Sequence, residues 1–245
     1  MSDLLPASPD GWAFFLDIDG TLIDIAPTPD AVIVPPDLPM MLGRLCEQTG
    51  GALALLTGRS IATVDRLFAP VRLPVGAIHG TEIRYPDGEV ASSPSVPELA
   101  GIRERLIDFV AAHPGALFED KGSAVAVHFR AAATLQGAVE REVRAAAEAA
   151  GGGLVVQPGK MVFEVRPSGA SKGHALAAFM IHTAFAGRRP LAVGDDVTDE
   201  TMFAAALRLG GSALRVGPAE TASVATVKFE DPTAVRRWIA GLIMS

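Results

Sequence analysis

The chain carries one cysteine, Cys46, in 245 residues, which excludes an intrachain disulfide and any thiolate metal cage. Set in the helical pattern LGRLCEQ, that thiol reads as a buried structural side chain, and a reducing cytoplasm suits it. Positive charge is in deficit. A net charge of −7 leaves no compositional basis for a nucleic-acid or anionic-membrane surface, so small soluble partners are expected. No apolar run approaches the roughly 20 residues that cross a bilayer, and no basic segment leads into an apolar one near the start, so neither spanning nor secretion is expected. Internal repeats and long low-complexity tracts are also missing, although one predicted helix is rich in alanine.

What is present is an apolar fraction of 49%, enough to fill one large α/β core or a core with a smaller insert. The strand WAFFL, a helix over Leu38 to Gln48, the strand ALALL, a helix over Ser60 to Phe68 and the strand PVGAI give a βαβαβ rhythm. EIRYPDGEV then reads as a hairpin turning at Asp87-Gly88, and SSPSVPE as a boundary. From there to Pro167 the pattern changes to helix, two strands, the alanine-rich helix and two more strands, a compact α+β insert. The tail resumes βα alternation: a helix over Lys172 to Phe185, the strand PLAVG, a helix over Thr198 to Leu209, strands ALRVG and VKF, and a last helix to Ile243. The outer pieces, 1–95 and 168–245, are expected to build one parallel sheet of Rossmann-like α/β type, interrupted by the smaller α+β domain at 96–167.

Three apolar strands end in polar residues, at Asp17 (FLDIDGTL), Thr57 (LLTGR) and Asp195 (AVGDD). In a right-handed parallel sheet such ends line one edge, so residues distant in sequence converge there. Two acids spaced as Asp17 and Asp19 repel unless a cation lies between them. Carboxylates of Asp17 and Asp195 with the Asp19 carbonyl suit a hard divalent ion such as Mg²⁺, leaving Asp17 ionised to attack phosphorus and Asp19 to exchange protons with leaving group and water. Thr57, the amides of Gly20 and Thr21, and Lys172 at a helix start would clamp the phosphate. Each feature alone has an ordinary reading: Asp-x-Asp as a loop or cap, Thr57 as a cap, Lys172 as a solvated residue, GDD as a turn.

DIDGTL, TGRS, SKG and GDDVTDE occur in the order seen in haloacid-dehalogenase-like phosphatases. With AIHGTE, FEDKG, AVHFR and GKMVFEVRP the chain resembles the trehalose-6-phosphate phosphatase family across the insert as well. The resemblance implies a hydrolase core with a sugar-recognising cap, Asp17 as nucleophile, Asp19 as general acid/base, Thr57 and Lys172 as phosphate binders, and Asp195 as the third metal ligand. Asp196 and Asp199 would assist nearby. It also implies that Glu119, Lys121, Arg130, Lys160 and Glu164 face the sugar. Glu119 and Lys121 alternate at a strand end and so point one way. His128 shares a face with Arg130 but reads equally as a packed histidine. Phe129 stands where much of the family is expected to have tyrosine, at no cost to catalysis. His79 and Glu82 read as substrate-binding candidates, against a core-edge histidine and a hairpin carboxylate; Arg59, Arg166 and Ser171 as groups that orient the clamp or pin the domains. His113 and His174 are assigned nothing.

The activity implied is Mg²⁺-dependent hydrolysis of trehalose 6-phosphate through an aspartyl phosphate, the last step of trehalose synthesis, with any synthase on a separate chain and the oligomeric state open. A phosphatase or mutase of another sugar phosphate, such as sucrose phosphate, and a silent phosphosugar-binding domain remain the alternatives.

Overall fold

The computed structural model describes residues 5–92, 97–218 and 222–244. The chain divides into two compact units, the first of Met1–Ala26, Asp30–Ser92 and Ser171–Ser245 and the second of Pro27–Pro29 and Ser93–Ala170. Of the boundary expected at SSPSVPE, residues 93–96 lie outside the described ones. The first unit opens with β1 (Trp12–Leu16), α1 (Leu38–Gln48), β2 (Leu53–Leu56), α2 (Ile61–Leu67), β3 (Val75–Ala77), β4 (Glu82–Arg84) and β5 (Val90–Ser92). The second unit is α3 (Leu99–Ala111), β6 (Leu117–Asp120), β7 (Val125–His128), α4 (Gln136–Ala150), β8 (Leu154–Gly159) and β9 (Val162–Pro167). The first unit resumes with α5 (Lys172–Met180), β10 (Arg189–Gly194), α6 (Glu200–Arg208), β11 (Ser212–Val216), β12 (Val227–Phe229) and α7 (Pro232–Leu242).

Among the described residues, eight strands of the first unit form one sheet in the order β12-β11-β10-β1-β2-β3-β4-β5. The pairs from β12 to β3 are parallel, and the β4–β5 hairpin closes the other edge antiparallel. Strands such as WAFFL and LALL are apolar at every position because they are buried throughout, the pattern of a parallel sheet covered on both faces. From β1 the chain lays β2 and β3 on one side, then returns to place β10 and β11 on the other. The strand order therefore reverses between β1 and β10, and the carboxyl ends of β1, β2 and β10 flank the crevice that this reversal opens. The expected parallel-sheet core and α+β second unit are both observed.

Two local expectations need correction. Helix α5 stops at Met180 rather than Phe185, because the chain turns back to bring the buried Phe185 ring 5.5 Å from Phe15 and 5.1 Å from Phe179, leaving Ile181 exposed. Cys46 lies at intermediate depth on α1 rather than buried; its pKa is still pushed up to about 11, chiefly by desolvation, so the thiol stays protonated and inert.

In the second unit the antiparallel sheet runs β6-β7-β9-β8. Leu99, Ile102 and Leu106 of α3 and Val139, Val143 and Ala146 of α4 pack with Val125, Val127, Phe163 and Val165 into one apolar cluster. The two-residue period of the strands then turns Ala126 and Glu164 to the opposite face. Cross-strand register aligns Glu119, Ala126, Glu164 and Gln157 in one row, so a small alanine separates two carboxylates.

Candidate active site

Helix α5 begins at Ser171, whose hydroxyl caps it by accepting from the His174 amide at 3.1 Å. Ser171 is thus a helix cap, and it sets Lys172 in the first turn, where the helix macrodipole disfavours a cation unless anions compensate. They do: Lys172 Nζ lies 2.7 Å from Asp17 Oδ1 and 2.6 Å from Asp199 Oδ1, with all three side chains buried. One carboxylate oxygen from each of Asp17, Asp195 and Asp199 falls within 4.8 Å of the others. Three carboxylates against one ammonium leave two negative charges, which a divalent cation would balance. Desolvation raises the Asp17 pKa well above the usual carboxylate value, with Asp199 adding to it, Lys172 opposing and Asp195 adding further. Burial works against the Lys172 charge too, but Asp17 and Asp199 outweigh it and hold its pKa above the ordinary lysine value.

Asp199 accepts from Lys172 on one oxygen and, on the other, from the backbone amides of Asp195 at 2.8 Å and Asp196 at 2.9 Å. Three of its roughly four lone-pair sites are thus committed, which suits an orienting group better than a direct metal ligand. Asp196 caps the turn, accepting from the Val197 amide at 2.6 Å. Glycine is required at two places here. A Cβ on Gly20, whose φ is +83°, would run into the Asp195 carboxylate, and one on Gly194 would run into Asp199. The acids converge only because those two positions lack side chains.

Beside this centre, Arg59 grips Asp19 in a fork, Nε to Oδ2 and Nη2 to Oδ1, each at 2.7 Å. Arg59 therefore orients the second acid of FLDIDGTL. Thr57 is buried, and its hydroxyl accepts from the Arg59 amide at 3.1 Å while keeping its own proton to donate. The amides of Gly20 and Thr21 do not stand open to phosphate as expected: they donate to Ile23 O at 2.8 Å and Ile18 O at 3.3 Å, closing the loop, and the contribution of Gly20 is space for Asp195. Ile78 and His79 have φ of 47° and 53°, an unusual left-handed pair that folds the His79 ring against Gly58 and lets the His79 amide reach Thr57 O at 2.9 Å. His79 thereby supports the Thr57–Arg59 turn. Glu82 sits half-buried on β4, its pKa raised by desolvation.

On the polar face of the second unit, Lys121 Nζ lies 2.5 Å from Glu164 Oε2 and 3.9 Å from Glu119 Oε2, and His128 Nε2 lies 2.8 Å from Glu119 Oε2. Burial pushes the Glu119 pKa up, but His128 and Lys121 overcome it and hold the group ionised below its usual value. Four of the residues singled out in sequence thus form one charged cluster. Lys160 and Glu164 lie on either side of the start of β9 at Val162. Arg130, just past β7, donates to the Lys160 carbonyl in the β8–β9 turn at 3.1 Å. Arg166 donates to Gln157 at 3.0 Å and to the Pro167 and Ala170 carbonyls, within its own unit.

The sequence model of the trehalose-phosphatase family matches residues 15–231. The chain is 47% identical over 235 residues to a probable trehalose-phosphate phosphatase of Sinorhizobium fredii, covering 96% of this chain and 89% of that protein. It is 39% identical over 211 residues to the trehalose-6-phosphate phosphatase of Escherichia coli, covering 86% of this chain and 79% of the other. The C-terminal domain of the C. albicans trehalose-6-phosphate phosphatase shares the fold at a TM-score of 0.83 with 23% identity, over 95% of this chain and 92% of that one. With a buried acid-lysine centre at the crevice of its sheet, the chain belongs to the trehalose-phosphatase family of phosphoric monoester hydrolases.

Proposed function

We propose that this protein hydrolyses trehalose 6-phosphate to trehalose and phosphate, with Mg²⁺ as the metal and an aspartyl phosphate on Asp17 as the intermediate. The observation that carries the reading is the buried constellation of Asp17, Lys172, Asp195 and Asp199, whose oxygen-only donors and residual double negative charge fit a hard divalent cation. Asp17, Asp195 and the Asp19 carbonyl would hold it. When bound, the ion neutralises the carboxylates and polarises the phosphoryl oxygens. An oxygen of Asp17 attacks phosphorus, the bond to the sugar oxygen breaks, and Asp19 gives that oxygen its proton. Asp19 then takes a proton from water as the water oxygen attacks phosphorus and the bond to Asp17 breaks. Thr57 and Lys172 steady the equatorial oxygens throughout.

The second unit is assigned to sugar recognition on the strength of its charged row, since carboxylates and ammonium groups held by one another meet hydroxyls with fixed geometry. Arg130 and Lys160 extend that surface, and His79 and Glu82 are assigned to the phosphosugar side of the core. A cytosolic setting suits the polar substrate, and the phosphosugar is taken to come from a synthase activity. The deciding experiment is phosphate release from trehalose 6-phosphate with and without Mg²⁺, beside sucrose 6-phosphate and a small panel of other phosphosugars. Equal rates across the panel would remove the substrate assignment; conversion without phosphate release would indicate a mutase, and binding without any reaction a silent domain.

Two variants separate the roles. In single-turnover measurements Asp19→Asn is expected to slow cleavage of the sugar ester by at least about 100-fold while sparing the first release of p-nitrophenolate, which leaves without a proton; the later attack by water, which also uses Asp19, slows for both. Equal losses in that first step on both would remove Asp19 as the acid. Glu164→Ala is expected to lower the ratio of kcat/KM for trehalose 6-phosphate over p-nitrophenyl phosphate by about tenfold to a hundredfold, because sugar hydroxyls lose an acceptor that a small aryl ester never uses. An unchanged ratio would show that this face does not read the sugar.

A further inference from the structure

Arg215 lies inside the apolar strand β11, opposite Gly194 of β10, and its side chain is buried. Its Nη2 donates to the backbone carbonyl of Asp195 at 3.1 Å, and its Nη1 to Glu200 Oε1 at 3.0 Å. The other oxygen of Glu200 accepts from the Val224 amide at 3.0 Å. Asp199 holds the same stretch from the opposite polarity, accepting from the amides of Asp195 and Asp196. The peptide units on either side of the Asp195 side chain are therefore fixed, carbonyl by Arg215 and amides by Asp199. The Nε of Arg215 is buried and has no hydrogen-bond partner among the described residues. A buried guanidinium with one N–H unmatched costs stability, so the arrangement is a poor device for stability alone.

We infer that Arg215 is a positioning residue for the metal centre: by holding the Asp195 carbonyl, with Glu200 as its own anchor, it aims the Asp195 carboxylate at the ion. The inference rests on the metal-dependent reading above. Groups that orient a ligand in this way typically change metal affinity by about ten- to a hundredfold when removed.

The test is a Mg²⁺ titration of the metal-free protein by isothermal calorimetry, repeated on variants. The parent should bind and Asp195→Asn should not; a parent that binds no Mg²⁺ would overturn the metal reading itself. Given a binding parent, Arg215→Met is expected to raise the dissociation constant for Mg²⁺ about tenfold or more, and Arg215→Lys by less, since an ammonium still reaches the carbonyl. Phosphate release lost at low Mg²⁺ should return as Mg²⁺ is raised. Glu200→Ala, which frees the guanidinium but leaves it in place, is expected to shift the constant in the same direction by about threefold or more, and it decides the matter should Arg215→Met not fold. Mg²⁺ constants within twofold of the parent in the folded Arg215 variants, or in Glu200→Ala when those do not fold, would overturn the assignment.

Discussion

Asp17→Asn is expected to give a folded protein with no measurable phosphatase activity, a loss of at least about 10⁴-fold, on the scale of other nucleophile deletions. The amide matches the carboxylate in shape and still accepts a hydrogen bond from Lys172, which sits 2.7 Å away, but it has no anionic oxygen to attack phosphorus. Stability should move the other way. In the metal-free protein Asp17 is a buried carboxylate whose pKa is raised first by desolvation and then by Asp199. A carboxyl with a raised folded-state pKa opposes folding once the pH exceeds its unfolded value, so at neutral pH its removal relieves a cost. The metal-free variant should therefore melt at or above the temperature of the metal-free parent, the usual trade between an active site and the stability of its fold. Circular dichroism with thermal melting, alongside phosphate release, checks both halves. Retention of more than a few per cent of activity in a folded variant would remove Asp17 as the nucleophile.

What the sequence discloses and what it conceals divides along a physical line. WAFFL and LALL are legible as strands because burial on both faces demands unbroken apolar runs, and Asp17 at the end of the first is legible because charge at such a position needs an explanation. The bounds of α1 match its apolar spacing and its proline at the start. Partnerships between distant residues leave no local trace. Nothing near Asp19 announces Arg59, 40 positions away, and nothing near Lys172 announces Asp199, 27 positions away. Phe185 continues the apolar pattern of α5, so only its packing against Phe15 reveals that the helix has ended. The amides of Gly20 and Thr21 looked open because the bonds that close their loop depend on its folded shape. Arg215 carried a usable signal: a lone arginine inside a strand otherwise built for burial must have a partner, and asking for it leads to the Asp195 carbonyl.

Lys172→Met is expected to lower kcat/KM by about 100-fold or more, because its ammonium lies within ion-pair distance of both Asp17 and Asp199 in the acidic constellation. Loss of a single electrostatic donor in a water-excluded site costs about 3–4 kcal/mol in the transition state. The substitution keeps the length and apolar stem of lysine, so the space at the helix start stays filled. Its effect on stability depends on the metal. Without Lys172, Asp17 and Asp199 face each other as buried carboxylates with no cation between them, and breaking a buried pair in this way costs about 3–5 kcal/mol. A bound divalent ion would take over part of that compensation. The melting temperature of the variant should therefore fall further below the parent's in EDTA than in excess Mg²⁺, and the difference between those two gaps measures how far ammonium and metal share one electrostatic task. The parent needs the ion less, since Lys172 already offsets one of the three carboxylates. Near-normal turnover in the variant would show that the lysine does not touch the transferred phosphoryl group. An equal drop in melting temperature with and without Mg²⁺ would show that the ion and the lysine answer different charges.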